Sequence, residues 1–325
     1  MPPSTSHRSS APSTQPPTPG PLTSGPPTSG AASIAVQRSE STVRAGARDI
    51  FVTELVADGG PTRELPMVLL HGGGPGASGM SNYARNVDAF ALDGYRVLVP
   101  DMPAYGRSTK ELDRSDPFGD LAVFLRSLFD ELGIERAHLL GNSLGGAAVL
   151  RFALDRPDRV ASQVLMGPAG IGTTRGLPTR GTGKLFGYYA GEGPSREKLR
   201  EFITEYLVFD ASGVTDEMLE ERYRSSIDPE VLAAPPLRRP SGPTAPRTVM
   251  RMDFTRDRRI ATCTVPTLVV WGVDDKVNKP SGGPWLAKHL PHCDLHMYAR
   301  TGHWAQFEQP DRFNRLVCGW LEGLL

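Results

Sequence analysis

The sequence is poor in features that would place the protein among disulfide-rich, membrane-spanning or nucleic-acid-binding proteins. It has only three cysteines among 325 residues, Cys263, Cys293 and Cys318, which are too few and too scattered for a disulfide framework. No run approaches the ~18 apolar residues that a membrane-spanning helix needs. The 36 basic and 36 acidic side chains leave no excess charge to attract nucleic acid or an anionic membrane surface. We therefore expect a soluble, cytoplasmic protein whose partner is a small molecule.

The N-terminal segment differs in composition from the rest of the chain. Of its first 33 residues, 25 are Pro, Ser, Thr or Gly, and Arg8 carries the only formal side-chain charge. Such a segment cannot bury enough apolar surface to offset the entropy of ordering it. It has no apolar run of the kind found in secretory signals, and its prolines forbid the amphipathic helix of a transit peptide. Residues 1–45 are thus predicted to form a disordered tail.

From about residue 50, short apolar runs alternate with helical patterns. This alternation predicts a mostly parallel, doubly wound α/β sheet covered by helices on both faces. Residues 168–257 interrupt the rhythm and are predicted to form a helical lid over the carboxyl ends of the strands, where ligands bind in open α/β sheets. The core then comprises residues 46–167 and 258–325. Strands are predicted at residues 50–56, 67–70, 96–100, 137–140, 160–166, 266–271 and 294–298, and helices at residues 82–92, 117–132, 144–154, 197–208, 216–226, 284–290 and 311–325.

A Gly-x-Ser-x-Gly motif, Gly141-Asn142-Ser143-Leu144-Gly145, lies between a predicted strand and a predicted helix. In a nucleophile elbow this junction turns so tightly that glycines two residues either side must leave room for it. The serine hydroxyl is then exposed above the sheet. We therefore predict that Ser143 is a catalytic nucleophile.

A serine hydroxyl needs a base to remove its proton and an acid to orient that base. Only one histidine after the elbow lies in a turn that follows a strand, namely His303, and we predict that it is the base. Asp274 and Asp275 follow the strand at residues 266–271, and spacing alone leaves either as the acid. The histidines beyond the elbow are His289, His292, His296 and His303.

The glycine-rich run of residues 71–76, His-Gly-Gly-Gly-Pro-Gly, directly follows a strand. It fits neither the Gly-Lys-Ser/Thr nor the G-x-G-x-x-G pattern of phosphate-binding loops. In a serine hydrolase such a loop presents a backbone N–H to the developing oxyanion, beside the N–H of the residue after the serine. We nominate Gly73 and Leu144 as these donors. No cofactor is expected, and no metal site either, because His292, Cys293 and His296 lack metal-ligand spacing.

These residues resemble the meta-cleavage product hydrolases, α/β-hydrolases that cut carbon–carbon bonds in aromatic and steroid catabolism. The likeness covers most of residues 65–325. It is densest in the stretches at residues 70–77, 81–86 and 141–147 and continues in those at residues 165–168, 302–304 and 313–316. A triple glycine followed by Pro-Gly, combined with Gly-Asn-Ser, is more specific than an ordinary hydrolase signature.

The resemblance implies roles for further residues. It assigns the acid to Asp275 and places Arg222, in the lid, as the binder of a substrate carboxylate. It also implies a 2-hydroxy-6-oxo-hexa-2,4-dienoate substrate, cleaved to a 2-hydroxypenta-2,4-dienoate and a carboxylic acid, and a homodimer or higher homo-oligomer. The remaining residues that it places at the substrate are Gly74, Asn82, Asn142 and Trp304.

Several alternatives stay open at the level of sequence. A serine esterase, a lactonase or an acyltransferase would use the same triad, and a non-catalytic ligand-binding protein could share the fold. Arg222 could instead be a solvated lid arginine that pairs with Glu217 or Glu221 at helical spacing. The lid also departs from the family pattern, with five prolines within residues 235–246 and five glycines within residues 181–193.

Overall fold

The protein is built around one eight-stranded sheet. The structure, a computed structural model, describes residues 35–172, 174 and 177–324. The strand order is β1-β2-β4-β3-β5-β6-β7-β8. The strands are β1 (Val36–Ala45), β2 (Arg48–Ala57), β3 (Met67–Leu70), β4 (Val97–Pro100), β5 (Ala137–Asn142), β6 (Val160–Met166), β7 (Thr267–Gly272) and β8 (Cys293–Tyr298).

The six strands from β4 to β8 in this order run parallel, and β1 and β2 add an antiparallel edge. In β3, Val68 and Leu70 belong to one hydrophobic core, whereas Met67 and Leu69 belong to the other. Alternate side chains of a strand point to opposite faces, so a strand that is apolar throughout must be covered on both sides. The predicted α/β, mostly parallel and doubly wound fold is thereby confirmed.

Helices cover the two faces of the sheet. The first core includes side chains of α3 (Pro117–Glu131), α4 (Leu144–Asp155) and α10 (Gly282–His289). The second includes those of α2 (Val87–Leu92) and α12 (Pro310–Glu322), with α1 (Gly79–Tyr83) and α11 (Ala305–Glu308) beside them. Within the described part of the chain, no helix combines the length and the apolar character needed to cross a membrane.

The predicted tail boundary was wrong for residues 36–45, which form β1. Every residue of β1 pairs with one of β2, from Val36 opposite Ala57 to Ala45 opposite Arg48. The hairpin closes through Gly46, whose φ of +64° suits glycine. Because β1 is an edge strand with mostly exposed, polar side chains, its composition resembles that of a tail. Residues 1–34 of the predicted tail lie outside the described residues.

The predicted single helix at residues 82–92 was also wrong, because the structure has α1 and α2 there. Asn86 lies at the break between them and is fully buried. Its side-chain amide donates to the carbonyl of Gln306 and to the side chain of Asn314, both on the C-terminal part of the chain. These long-range bonds stabilise a break that local periodicity does not reveal.

The segment between β6 and β7 lies over the carboxyl ends of the strands and has its own apolar core. That core joins Phe202, Ile203 and Leu219 to Val277 and Trp304. One turn, Phe202–Leu207, is a π-helix, a form frequent at functional sites. Four of the five prolines at residues 235–246 lie between the last two helices of this lid, and Pro246 lies in the first turn of the last one. Its helices are α5 (Arg180–Gly187), α6 (Arg196–Glu201), α7 (Asp216–Ser226), α8 (Pro229–Ala233) and α9 (Ala245–Arg251).

Candidate active site

Ser143 occupies a strained turn between β5 and α4. Its φ of +52° and ψ of −110° are unfavourable for a residue with a side chain. A Cβ on Gly141 would lie 2.4 Å from the carbonyl oxygen of Gly145, and a Cβ on Gly145 would lie 2.2 Å from that of Leu70. Both glycines are therefore required for the turn to pass so close to β3. This is the geometry that the Gly-x-Ser-x-Gly motif predicts.

Backbone hydrogen bonds hold the turn in this conformation. The N–H of Ser143 donates to the carbonyl of Met166 at 2.9 Å. The carbonyl of Ser143 accepts from Ala147 at 3.0 Å and from Ala169 at 2.9 Å. The serine thus sits at the amino end of α4, at the carboxyl ends of β5 and β6.

Asp275, rather than Asp274, contacts the histidine. The Oδ2 of Asp275 lies 2.7 Å from the Nδ1 of His303, and the residues are 7% and 4% exposed. Asp274 is half-exposed and anchors the loop through its backbone N–H, which donates to Thr301. Of the two aspartates that spacing left open, Asp275 is the one whose side chain points inward to the histidine.

Further donors hold the Asp275 carboxylate in one orientation. The indole N–H of Trp271 donates to Oδ2 at 2.9 Å, and the backbone N–H groups of Val277 and Asn278 donate to Oδ1 at 2.7 and 2.9 Å. Because a carboxylate can only accept here, the Nδ1 of His303 carries the proton of their shared bond. The Nε2 of the ring is left to accept a proton.

A second glycine contact keeps this pair in place. Gly167 follows β6 with a φ of +47°, and a Cβ there would lie 3.2 Å from the Nδ1 of His303 and 3.3 Å from the Oδ2 of Asp275. The side-chain amide of Asn278 donates to the Gly167 carbonyl at 2.8 Å. The loop after β6 therefore packs directly against the histidine–aspartate pair.

The glycine loop after β3 lies against the serine turn. A Cβ on Gly72 would be 3.5 Å from the Cβ of Ser143, and one on Gly73 would be 2.9 Å from a methyl carbon of Leu144. Among the described residues, no group accepts a hydrogen bond from the N–H of Gly73 or of Leu144. Two adjacent, unpaired N–H groups beside a serine can bind an oxyanion.

His71 supports this loop from beneath. Its Nδ1 lies 2.8 Å from the carbonyl of Gly72, and its Nε2 accepts from the N–H of Met102 at 2.9 Å. Burial lowers the pKa of His71, so the ring is neutral and carries its proton on Nδ1. Tyr105 adds a hydrogen bond from its hydroxyl to the carbonyl of Gly73 at 3.1 Å. Both contacts occupy carbonyl groups of the loop and leave its N–H groups free.

Arg222 is not the solvated lid arginine of the alternative hypothesis. It is 2% exposed, and its guanidinium lies over the Trp304 ring at 5.2 Å and beside Gly74. The one hydrogen bond of the guanidinium within the described structure is a long one, 3.4 Å, to the Oγ of Ser81, and its Nε has no partner. Burial lowers the pKa of Arg222 to about 10, which leaves it charged at neutral pH.

The backbone of Arg222 also explains Gly76. A Cβ on Gly76 would lie 1.8 Å from the carbonyl oxygen of Arg222, and Gly76 has a φ of +62°. The glycine loop and the lid helix α7 are therefore in direct contact. This contact brings the guanidinium into the cleft that holds Ser143.

Asn82, Asn142 and Trp304 line the same cleft. The Oδ1 of Asn82 accepts a short hydrogen bond from the indole of Trp304, whereas its Nδ2 is buried without a partner in the described structure. The Nδ2 of Asn142 donates to the carbonyl of Met166 at 3.2 Å and to that of His303 at 3.4 Å. Asn82 thus offers a free donor to the cleft, and Asn142 ties the histidine turn to β6.

Sequence reasoning missed the apolar wall of the cleft. The missed residues lie in the lid or just after β7. They are apolar, and residue type alone does not distinguish the wall of a cleft from the lid's own core. Together with the predicted residues they enclose about 320 Å³ of space, part of it open to solvent. The missed residues are Leu185, Phe202, Leu207 and Val277.

The cleft combines the elements of acyl transfer. A serine lies at its floor with a histidine and a buried aspartate, and two free N–H groups adjoin the serine. A buried cation that has no carboxylate partner among the described residues lies on the lid side. Uncompensated buried charge is costly, which indicates an anionic ligand. Among the described residues, no group of three or more metal-ligating side chains converges.

Comparisons with known proteins agree with this geometry. Residues 66–310 match the family model described as the alpha/beta hydrolase fold, so the chain belongs to that family. It is 38% identical over 258 residues, 78% of this chain and 87% of the relative, to a 2-hydroxy-6-oxo-6-phenylhexa-2,4-dienoate hydrolase of Burkholderia cepacia. It is 37% identical over 260 residues, with the same coverage, to a 2-hydroxy-6-oxononadienedioate/2-hydroxy-6-oxononatrienedioate hydrolase of Pseudomonas sp..

A solved structure of a meta-cleavage product hydrolase is also similar to this chain. The meta-cleavage product hydrolase CumD from Pseudomonas fluorescens IP01 matches with a TM-score of 0.75 and 30% identity, over 88% of this chain and 98% of that one. Within the α/β-hydrolases, the chain belongs to the meta-cleavage product hydrolases, and the predicted resemblance is confirmed.

Proposed function

We propose that the protein is a serine-dependent hydrolase that cleaves the C–C bond of a 2-hydroxy-6-oxo-hexa-2,4-dienoate, a ring-fission product of aromatic catabolism. The products are a 2-hydroxypenta-2,4-dienoate and a carboxylic acid. The family and the acyl-transfer geometry support hydrolysis in general. The observation that carries this particular reaction is the buried guanidinium of Arg222 in the serine cleft, which has no carboxylate partner among the described residues. The enzyme is proposed to work in the cytoplasm, as a homo-oligomer.

In this proposal Arg222 binds the carboxylate of the dienoate. A guanidinium matches a carboxylate in a bidentate manner, and the strength of such a pair rises in a buried site. The free Nδ2 of Asn82 and the Trp304 ring lie beside that position and orient the same end of the substrate. With one end fixed, the distal ketone is held near Ser143.

The C–C bond cannot break until the substrate has a carbonyl group that can accept the bonding electrons. A proton must first shift from the 2-hydroxyl group to the carbon chain, which converts the dienol to a keto tautomer. His303 then removes the proton of Ser143, whose oxygen adds to the C6 ketone, and the N–H groups of Gly73 and Leu144 bind the oxyanion. Each such donor typically lowers the barrier by about 3 kcal/mol.

Collapse of this intermediate breaks the C5–C6 bond. The bonding electrons pass to the keto fragment, which leaves as the 2-hydroxypenta-2,4-dienoate after protonation. The C6 acyl group stays on Ser143. A water molecule, deprotonated by His303, then hydrolyses that ester and releases the carboxylic acid. Asp275 orients the imidazole throughout and stabilises its charged form.

The apolar wall favours a substrate with an uncharged distal group. Leu185, Phe202, Leu207 and Val277 line the cleft, and Arg222 is the only guanidinium or ammonium among the lining residues. If Arg222 binds the dienoate carboxylate, a second, distal carboxylate has no partner and is disfavoured. We therefore propose an alkyl or phenyl tail. The ratio of kcat/KM for the 6-phenyl dienoate to that for the nonadienedioate checks this point and should exceed ~10.

Replacement of Arg222 by Gln tests the proposed function. It should lower kcat/KM for the phenyl dienoate by about 10²-fold or more, because a charged bidentate bond is lost. Hydrolysis of a neutral aryl ester by the same variant should change by less than about threefold, since no carboxylate is bound. Glu192→Gln, an exposed lid substitution, serves as the control. Equal effects on both substrates would favour the esterase or lactonase alternative.

A further inference from the structure

The turn that carries His303 is bonded to the lid. The backbone N–H of His303 donates to the carbonyl of Leu207 at 2.8 Å. Next to it, a Cβ on Gly302 would lie 2.8 Å from the carbonyl oxygen of Leu207 and from the nitrogen of Phe209. Since Leu207 also lines the cleft, the position of the lid and that of the histidine backbone are linked.

The side chain of Glu308 spans this contact. It lies at the end of α11, and its Oε1 accepts from the N–H of Gly302 at 2.8 Å. Its Oε2 accepts from the N–H groups of Phe209 at 2.7 Å and Asp210 at 3.3 Å. One carboxylate therefore binds three backbone N–H groups, one on the histidine turn and two on the lid.

The Glu308 carboxylate is not held in position by an ion pair with a cation of the described residues. Among the described residues, no Lys, Arg or His forms an ion pair with Glu308. Burial raises the pKa of its carboxyl group, whereas the backbone donors act in the opposite direction. A partly buried charge without a counter-ion costs free energy, and here the three backbone bonds offset that cost.

We propose that Glu308 is a positioning residue that holds the His303 turn against the lid, so that the position of the base relative to Ser143 depends on the position of the lid. This role rests on the proposed function, because it takes His303 as the base. Glu308 does not touch substrate in this scheme. It fixes the backbone from which the imidazole projects, and small displacements of a general base reduce its effect steeply.

Glu308→Gln tests the role, because the amide keeps the size of the side chain but replaces an acceptor by a donor. The readout is the second-order rate of Ser143 labelling by a fluorophosphonate, together with kcat and KM for p-nitrophenyl acetate. Labelling and kcat should fall about tenfold with KM changed less than twofold. Measurements well below the melting temperature of each variant, with circular dichroism, exclude a loss of folded protein.

Arg85→Met is the matched control. Arg85 joins the same two elements, since it donates to the carbonyls of Gly213 in the lid and Phe307 in α11, but it does not contact the histidine turn. Its labelling rate should stay within about threefold of wild type. An unchanged rate in Glu308→Gln, or an equal loss in Arg85→Met, would overturn the inference while leaving the proposed function intact. Absence of labelling in the wild type would instead contradict the proposed function, and the inference with it.

Discussion

The α-carbon of Gly167 faces the imidazole of His303 so closely that a single added methyl group would touch its Nδ1 at 3.2 Å. Gly167 directly follows β6 and belongs to the stretch at residues 165–168 that carries the family resemblance, but nothing in that stretch marks it as a contact of the histidine. Gly167 lies at the carboxyl end of β6, and this position brings it against the histidine–aspartate pair. The activity of the protein should therefore depend on a residue that performs no chemistry.

Gly167→Ala should lower kcat by on the order of 10²-fold, because the methyl group displaces the ring from Ser143. The positive φ adds a strain of about 1 kcal/mol. Gly133→Ala is the control, since Gly133 has a φ of +63° but open space around its Cα. Steady-state kinetics and urea unfolding of both variants separate the two effects. If Gly167→Ala and Gly133→Ala lost the same stability and kept the same activity, a contact between the added methyl group at position 167 and His303 would be contradicted.

Asp275→Asn should lower kcat by about 10⁴-fold, the loss typical of a triad acid replaced by its amide. The amide cannot accept from every donor that now surrounds the carboxylate, so the histidine loses its orientation. Asp274→Asn changes the neighbouring residue in the same way and should keep near wild-type activity. Comparable kinetics for the two variants would show that the inward side chain is not the orienting acid.

A buried histidine outside the cleft should make stability depend on pH. Burial lowers the pKa of His138 to about 4, and its Nδ1 lies 2.8 Å from the Oγ of Ser162. The unfolded chain binds the proton near pH 6.5, so stability is fully present above that value and is lost as pH falls towards 4. Between pH 7.5 and 5 the loss should be about 2 kcal/mol.

His138→Gln checks the assignment, because it removes the titrating group and keeps a partner for Ser162. Urea unfolding at the two pH values should give a loss about 2 kcal/mol smaller in the variant than in the wild type. His71, whose pKa burial also lowers, titrates in both proteins and cancels in the difference. The same pH dependence in both proteins would contradict a buried, neutral His138.

Truncation tests the revised boundary of the N-terminal segment. Removal of residues 1–34 leaves β1 intact and should leave the melting temperature and kcat unchanged. Removal of residues 1–45 deletes β1, uncovers the edge of β2 and should lower the melting temperature and promote aggregation. Differential scanning calorimetry of both truncations checks the expectation. Equal stability of the two would restore the original tail boundary.

The sequence predicted those parts of the site that local geometry determines. The elbow at Ser143 and the turn at His303 are recognisable because glycines and strand ends mark them within a few residues. The same is true of the parallel sheet, whose apolar runs must be covered on both faces. The choice of Asp275 over Asp274 required the resemblance, since adjacent residues differ only in which side they face.

Other features depend on contacts between distant parts of the chain. The burial of Arg222 follows from the packing of α7 on the glycine loop at Gly76, which helical spacing cannot reveal. The break at Asn86 is fixed by bonds to residues more than 200 positions away. The edge strand β1 has no neighbouring strand on one side within the described part of the chain, and its exposed side chains are polar. Its amino-acid composition therefore matches that of a solvated tail.

The most direct test of the account is product analysis with 2-hydroxy-6-oxo-6-phenylhexa-2,4-dienoate. The visible absorbance of the dienoate and the products separated by chromatography are followed together, for the wild type and for Ser143→Ala. The account predicts that the wild type bleaches the substrate and releases benzoate and 2-hydroxypenta-2,4-dienoate in equal amounts, and that the variant releases neither. Fast hydrolysis of aryl esters by a wild-type enzyme that leaves the dienoate unbleached would contradict C–C bond cleavage.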